Sequence, residues 1–214
     1  MFEAVIFDLD GVIVDSEPLH HRAIRETFAP HGIRIFDEEL QAYMGVPSRI
    51  VIQDLAELHD LDVGISALSE EHKSHLRTLY AESIPISGAL ELLEAVNASD
   101  LKLGLASSTD RDLIEVVLER LALNGFFNAV VSGEEVEHPK PMPDIYLEAA
   151  RRLECEPRGC TAVEDSQAGV QSAKGAGMRC IGFRSPHSLG QDIGQADVIV
   201  EDLWELDLDR LKEM

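Results

Sequence analysis

Ala4-Val5-Ile6-Phe7-Asp8-Leu9-Asp10-Gly11 is the stretch whose reading decides the fold. Four apolar residues running into a carboxylate read as a short buried strand, with a second carboxylate two residues on and a glycine that lets the chain turn away. Open parallel sheets bind ligands at the carboxyl ends of their strands, and a strand delivering two acids there marks that edge as a candidate site. The same residues also fit a strand-end Asp that merely caps a turn, so the rest of the chain must separate the two readings.

Working outward, similar apolar runs recur at Leu101–Ala106, Ala129–Val131, Thr161–Val163 and Arg179–Phe183. Amphipathic helical patterns lie between them at Gly88–Ala98, Asp110–Leu121, Pro143–Leu153 and Ser166–Ala176. Strand alternating with helix predicts an α/β fold with a parallel sheet covered on both faces. From about Ser16 to Ser83 that rhythm breaks: helical patterns at Pro18–Pro30, Asp37–Met44, Arg49–His59 and Ser69–Ser83 follow one another without a convincing strand. This predicts a core of residues 1–15 and 84–214, with a helical domain, residues 16–83, inserted after the first strand. Pro85 disfavours helix continuation at the second crossing. Trp204 and the apolar residues near it are expected to pack against the sheet edge.

Composition excludes several partners. With 18 Lys and Arg against 40 Asp and Glu, the net charge of −22 argues against a general binder of nucleic acid or an anionic membrane, which needs a basic face. An anionic substrate would have to be held by a few local cations or a metal. Cys155, Cys160 and Cys180 lack the paired spacing with His of a zinc site and read as reduced core thiols. No leader-like start or membrane-length apolar stretch is present, so a cytoplasmic protein, monomeric or weakly dimeric, is expected.

Three further strand ends carry chemistry. Ser107 follows the Leu101–Ala106 run, Lys140 lies in His138-Pro139-Lys140-Pro141-Met142-Pro143-Asp144, and Glu164 and Asp165 close the Thr161–Val163 strand. Singly they would be a helix cap, a solvated cation and a turn; together they converge on one edge of the sheet. A phosphate monoester carries about two negative charges, so a carboxylate nucleophile needs a cation to approach it. Mg2+ favours oxygen ligands, and Asp8, the Asp10 carbonyl, Asp165 and Glu164 offer them. Lys140 adds a positive charge and Ser107 a hydroxyl donor for the transferring group. Asp8 then suits the nucleophile, and Asp10 the acid and base that protonates the leaving oxygen and later deprotonates water.

These residues resemble the haloacid dehalogenase superfamily, in the branch with a small helical cap after the first strand that includes sugar phosphatases and beta-phosphoglucomutases. Phe7-Asp8-Leu9-Asp10-Gly11 is similar to the first family motif and Ala106-Ser107-Ser108 to the second. Lys140-Pro141-Met142-Pro143-Asp144 is similar to the third, and Glu164-Asp165-Ser166-Gln167-Ala168-Gly169 to the fourth. The resemblance spans nearly the whole chain. It implies a Rossmann-like three-layer α/β/α sandwich, a cap closing over a small phosphate ester, and Ser108 beside Ser107 among the substrate contacts. Dehalogenases of the superfamily lack the second Asp, because a halide leaving group needs no proton. Asp10 therefore favours phosphoryl transfer.

In the helical insertion, Asp15-Ser16-Glu17-Pro18-Leu19-His20 resembles the start of the cap and Gly45-Val46-Pro47-Ser48-Arg49 its substrate-facing loop, which makes His20 and Arg49 candidate substrate contacts. His72 and His75 share a helix face without a third ligand and read as solvated. The acceptor of the phosphoryl group is water in a phosphatase and a sugar hydroxyl in a mutase. Thr109-Asp110-Arg111 replaces the Ser-Lys-Asn run usual in beta-phosphoglucomutases, and their cap Lys has no clear equivalent near Tyr80. Both departures favour a phosphatase, although Arg77 or Arg111 could substitute for the missing cation. A phosphoacceptor signalling module uses similar groups, but its phosphorylated Asp lies on a middle strand and it has no inserted cap.

Overall fold

The computed structural model describes residues 2–43, 46, 48–185 and 190–213. The chain divides into two compact units: Met1–Asp15 with Ile84–Met214, and Ser16–Ser83. In chain order, the elements begin with β1 (Ala4–Phe7) and continue through four helices, α1 (Glu17–Phe28), α2 (Asp37–Gln41), α3 (Ser48–Leu58) and α4 (Ile65–Tyr80). After the insertion come α5 (Ala89–Asn97), β2 (Lys102–Ser107), α6 (Arg111–Arg120), β3 (Ala129–Ser132) and α7 (Asp144–Arg152). The chain then runs through β4 (Cys160–Glu164), α8 (Gln167–Gly175), β5 (Arg179–Phe183), β6 (Val198–Val200) and α9 (Leu208–Glu213).

Among the described residues the strands form one sheet in the order β3-β2-β1-β4-β5-β6, every neighbouring pair parallel. Strands buried on both faces explain why they read as unbroken apolar runs. Ala4, Ile6, Ala106, Val131, Cys160, Ala162 and Cys180 form one core face with Tyr146 and Ala149 of α7 and Val170 and Ala173 of α8. Alternation sends Val5, Phe7, Leu103, Leu105 and Val163 to the opposite face, where they are equally buried. There α5 packs on β2 and α6 on β3. The three-layer α/β/α expectation stands.

Two features of this unit depart from the sequence reading. β6 is a further strand; at three residues, with Ile199 partly exposed, it gave too little periodicity to detect. Trp204 is 59% exposed rather than packed on the sheet edge, and its indole N–H donates to Ser87 Oγ at 2.9 Å. The neighbouring Leu203, Leu206 and Leu211 supply the buried apolar contacts instead. Where the chain leaves and re-enters the unit the two crossings pair, with Ile86 N–H donating to the Ile13 carbonyl at 2.9 Å and Val14 bridging Pro85.

The helical unit has its own core, built from Ile24, Phe28, Ile35, Leu40, Val51, Ile52, Leu55 and Leu68. α1 packs on α4. The face of α4 that is buried runs Leu68, His72, Leu76, Leu79, so His72 belongs to an apolar stripe at helical spacing and is buried, not solvated as expected. Both ring nitrogens of His72 are buried within this stripe. Burial pushes its imidazole down to about 4, and the nearby His20 adds to the shift. His75 lies at the margin of that face and meets Glu26 at 3.4 Å and Glu71 at 3.8 Å. No helix among the described residues is long and apolar enough to cross a membrane. Cys160 and Cys180 are buried, and burial pushes the Cys160 thiol up to about 12, as expected of inert core cysteines.

Candidate active site

The site grows from β1. Asp8 prolongs the strand by one ladder bond, its N–H donating to the Val163 carbonyl at 3.0 Å, and the next residues fold into a tight loop. In that loop Gly11 N–H donates to the Val14 carbonyl at 2.8 Å, and Ile13 and Val14 N–H both donate to Leu9. Gly11 has φ +77°, and a Cβ there would lie 1.9 Å from Asp165 Oδ2. The glycine therefore does more than turn the chain: it makes room for a carboxylate from β4's end. Gly169, in the first turn of α8, does the same for Glu164, which a Cβ would meet at 1.9 Å.

Asp8, Glu164 and Asp165 are buried, and one carboxylate oxygen from each lies within 4.8 Å of the others. Lys140 Nζ sits among them, donating to Asp8 Oδ1 and to Glu164 Oε1, both at 2.6 Å, and to the Ala106 carbonyl at 3.1 Å. Glu164 is further held on the same oxygen by Tyr146 Oη–H at 2.8 Å. Its other oxygen accepts from Ser166 Oγ and from the N–H groups of Asp165 and Ser166. Burial, reinforced by Glu164 and Asp10, raises the Asp8 carboxyl above its ordinary range against the pull of Lys140. Burial alone would discharge Lys140, but Asp8 and Glu164 beside it raise its pKa above the lysine value. Burial and Glu164 keep the Tyr146 phenol neutral, a donor at any ordinary pH.

Three buried carboxylates against one ammonium leave two formal negative charges unbalanced. An all-oxygen donor set of that charge fits a hard divalent cation such as Mg2+. The fit rests on the donors present and on two glycines that keep their positions open to the carboxylates.

Asp10 lies beyond β1 against the end of β2. Its Oδ2 accepts from Thr109 Oγ1 at 2.6 Å and from Ser107 Oγ at 3.4 Å. Ser107 is buried and its Oγ also accepts from Thr109 N–H at 3.0 Å. The structure thus brings Asp8, Asp10, Ser107, Lys140, Glu164 and Asp165 to one edge of the sheet. Ser108 follows Ser107 but is exposed.

His20 and Arg49 belong to the helical unit. His20 Nε2 lies 2.9 Å from Tyr80 Oη and its Nδ1 3.5 Å from Ser48 Oγ. Arg49 is exposed in the first turn of α3; Gly45 and Pro47 of the same loop lie outside the described residues. Arg77 is exposed on α4. Arg111 is turned to its own surroundings: it donates to the Val130 carbonyl at 2.9 Å and pairs with Glu135 at 3.2 Å and Glu115 at 3.3 Å.

Two members of the cluster escaped the sequence reading, Tyr146 and Thr109. Tyr146 looked like one apolar position of an amphipathic helix, and nothing in its spacing signals that its hydroxyl reaches Glu164. Thr109 stands two residues past Ser107, beyond the end of β2, where strand alternation no longer fixes the side on which a hydroxyl falls.

The haloacid dehalogenase-like hydrolase profile matches residues 5–183. Fructose-1-phosphate phosphatase YqaB of Escherichia coli is 32% identical, over 86% of this chain and 97% of that protein. Beta-phosphoglucomutase of Bacillus subtilis is also 32% identical, over 99% of this chain and 94% of that protein. Among solved structures, CbbY from Rhodobacter sphaeroides in complex with phosphate superposes with a TM-score of 0.89 at 28% identity, covering 99% of this chain and 100% of that one.

Proposed function

This chain belongs to the haloacid dehalogenase-like hydrolases, and from that premise we propose that it hydrolyses the phosphate ester of a small metabolite, a sugar phosphate, through an aspartyl-phosphate on Asp8. The observation that carries the reading is the Lys140 ammonium set between Asp8 and Glu164 in a buried carboxylate cluster. Asp8 attacks phosphorus in line with the ester oxygen, whose bond to phosphorus breaks as Asp10 gives that oxygen its proton. In the second half-reaction Asp10 takes a proton from water, and the water oxygen displaces the Asp8 carboxylate from phosphorus. Lys140 and Ser107 stabilise charge on the transferring group in both halves. Mg2+ held by Asp8, the Asp10 carbonyl, Asp165 and Glu164 would supply the positive charge that lets an anionic nucleophile approach an anionic ester. We assign the helical unit to the cap, with His20 and Arg49 as its candidate substrate contacts.

Water is the acceptor in this reading. A mutase must anchor a second, distal phosphate with fixed cations. Asp110 is an acid, and Arg111, the cation that opens α6, is engaged by Glu115, Glu135 and the Val130 carbonyl. Both observations support a phosphatase. The test is a screen of phosphorylated metabolites with Mg2+, following inorganic phosphate, run beside beta-glucose 1-phosphate with a trace of glucose 1,6-bisphosphate. Phosphate release is expected, and isomerisation to glucose 6-phosphate far outrunning it overturns the assignment.

A further inference from the structure

We propose that Thr109 is a positioning residue for Asp10, holding the proton-transfer carboxylate in place during turnover; this rests on the phosphatase reading above. Ser107 Oγ accepts from Thr109 N–H and has a single O–H to give. That proton is directed toward Asp10 Oδ2 at 3.4 Å, a long contact, yet the phosphatase reading also requires it for the transferring phosphoryl group. Ser107 cannot serve both at once. Thr109 Oγ1 removes the conflict, because it donates to the same Asp10 oxygen at 2.6 Å, a short O–H···O bond. When Ser107 turns to substrate, Asp10 keeps the stronger of its two hydroxyl donors.

Thr109 is itself fixed from both sides. Its N–H is tied to Ser107, and its carbonyl accepts from Ser132 Oγ at 2.8 Å, a fully buried hydroxyl at the end of β3. The ends of β2 and β3 therefore share the work of placing one hydroxyl. Threonine suits the position better than serine, since its branched Cβ restricts χ1 and so limits where the hydroxyl can point.

The experiment compares wild type, Thr109→Val, which keeps the shape and loses the hydroxyl, and Thr109→Ser, which keeps the hydroxyl. The substrates are 4-nitrophenyl, phenyl and benzyl phosphate, whose leaving groups need increasing help from an acid. The readout is kcat/KM, which for this mechanism reports the steps up to formation of the aspartyl-phosphate. For benzyl phosphate, Thr109→Val is expected to lose roughly 10- to 100-fold, a part of the full general-acid contribution. The loss for 4-nitrophenyl phosphate should stay within about threefold, and Thr109→Ser should recover most of the benzyl activity. Equal losses on all three substrates, or none on benzyl phosphate, overturn the assignment of Thr109 alone. If Thr109→Val unfolds, failure of the folded Thr109→Ser variant to retain the wild-type ratio between benzyl and 4-nitrophenyl phosphate overturns it as well. Wild-type protein that releases phosphate from none of the three overturns the phosphatase reading, and this assignment with it.

Discussion

At the scale of single residues, Lys140 makes the sharpest prediction because it touches two buried acids at once. Lys140→Met removes the ammonium and leaves Asp8 and Glu164 facing each other, so both catalysis and folding should suffer. Loss of such an electrostatic partner is expected to lower kcat by roughly 10²- to 10³-fold. The stranded charges should reduce stability by about 3–5 kcal/mol, read as a shift in the urea midpoint. Asp8→Asn should behave differently, abolishing turnover with the fold intact, because the amide is no nucleophile while the shape barely changes. Measurable turnover in a clean preparation of that variant would remove Asp8 from its assigned role. Gly169→Ala is a subtler case. The added methyl would sit on Glu164, whose carboxylate is tied to Lys140, Tyr146 and Ser166 and has nowhere to go. A lower melting temperature together with lost activity is expected, where a helix glycine would ordinarily gain stability from alanine.

Elements show how far sequence could be read. β1, β2, β4 and β5 were visible because a parallel strand covered on both faces must be apolar throughout, and the acids at their ends stood out against those runs. Asp8, Asp10, Ser107, Lys140, Glu164 and Asp165 were legible for the same reason: each follows a strand or falls in a motif, so backbone topology alone gathers them. Thr109 and Tyr146 were not, since their roles depend on where a hydroxyl points, and helical or strand spacing carries no such information. His72 was misread because its neighbours three residues away look polar, while the stripe that buries it runs through Leu68, Leu76 and Leu79. That burial has a measurable consequence. An unfolded chain protonates His72 as pH falls below about 6.5, but the folded chain resists until about 4. The stability His72 allows at neutral pH is therefore lost progressively between those values, by about 3 kcal/mol in full. Replacing His72 by Leu should flatten the fall in stability between pH 7 and 4, measured by urea unfolding; an unchanged slope would show that His72 does not set it.

For the whole molecule the governing quantity is charge. With a net charge of −22, binding the proposed anionic substrate requires positive charge concentrated locally, and the Asp8, Glu164 and Asp165 cluster is where a divalent ion would supply it. Chelation should stop phosphate release, with Mg2+ restoring it; activity that persists in excess chelator would dismiss the metal. Because the ion would bind only folded protein, raising Mg2+ a hundredfold above its dissociation constant should also stabilise the fold by about 2.7 kcal/mol, a readout independent of turnover.

The sheet order β3-β2-β1-β4 has one more consequence, which belongs to synthesis. β1 occupies the middle of the sheet, yet its partners are encoded far downstream, at Lys102–Ser107 and Cys160–Glu164. At about 5–20 residues per second on the ribosome, β1 waits on the order of 5–20 s for its first neighbour and longer for its second. Through that interval the helical segment, whose contacts are local, can already be folding, while Ala4–Phe7 remains an unpaired apolar strand. Asp8, the proposed nucleophile, is thus among the first residues translated and, because both flanking strands of β1 arrive late, is set in place only long afterwards.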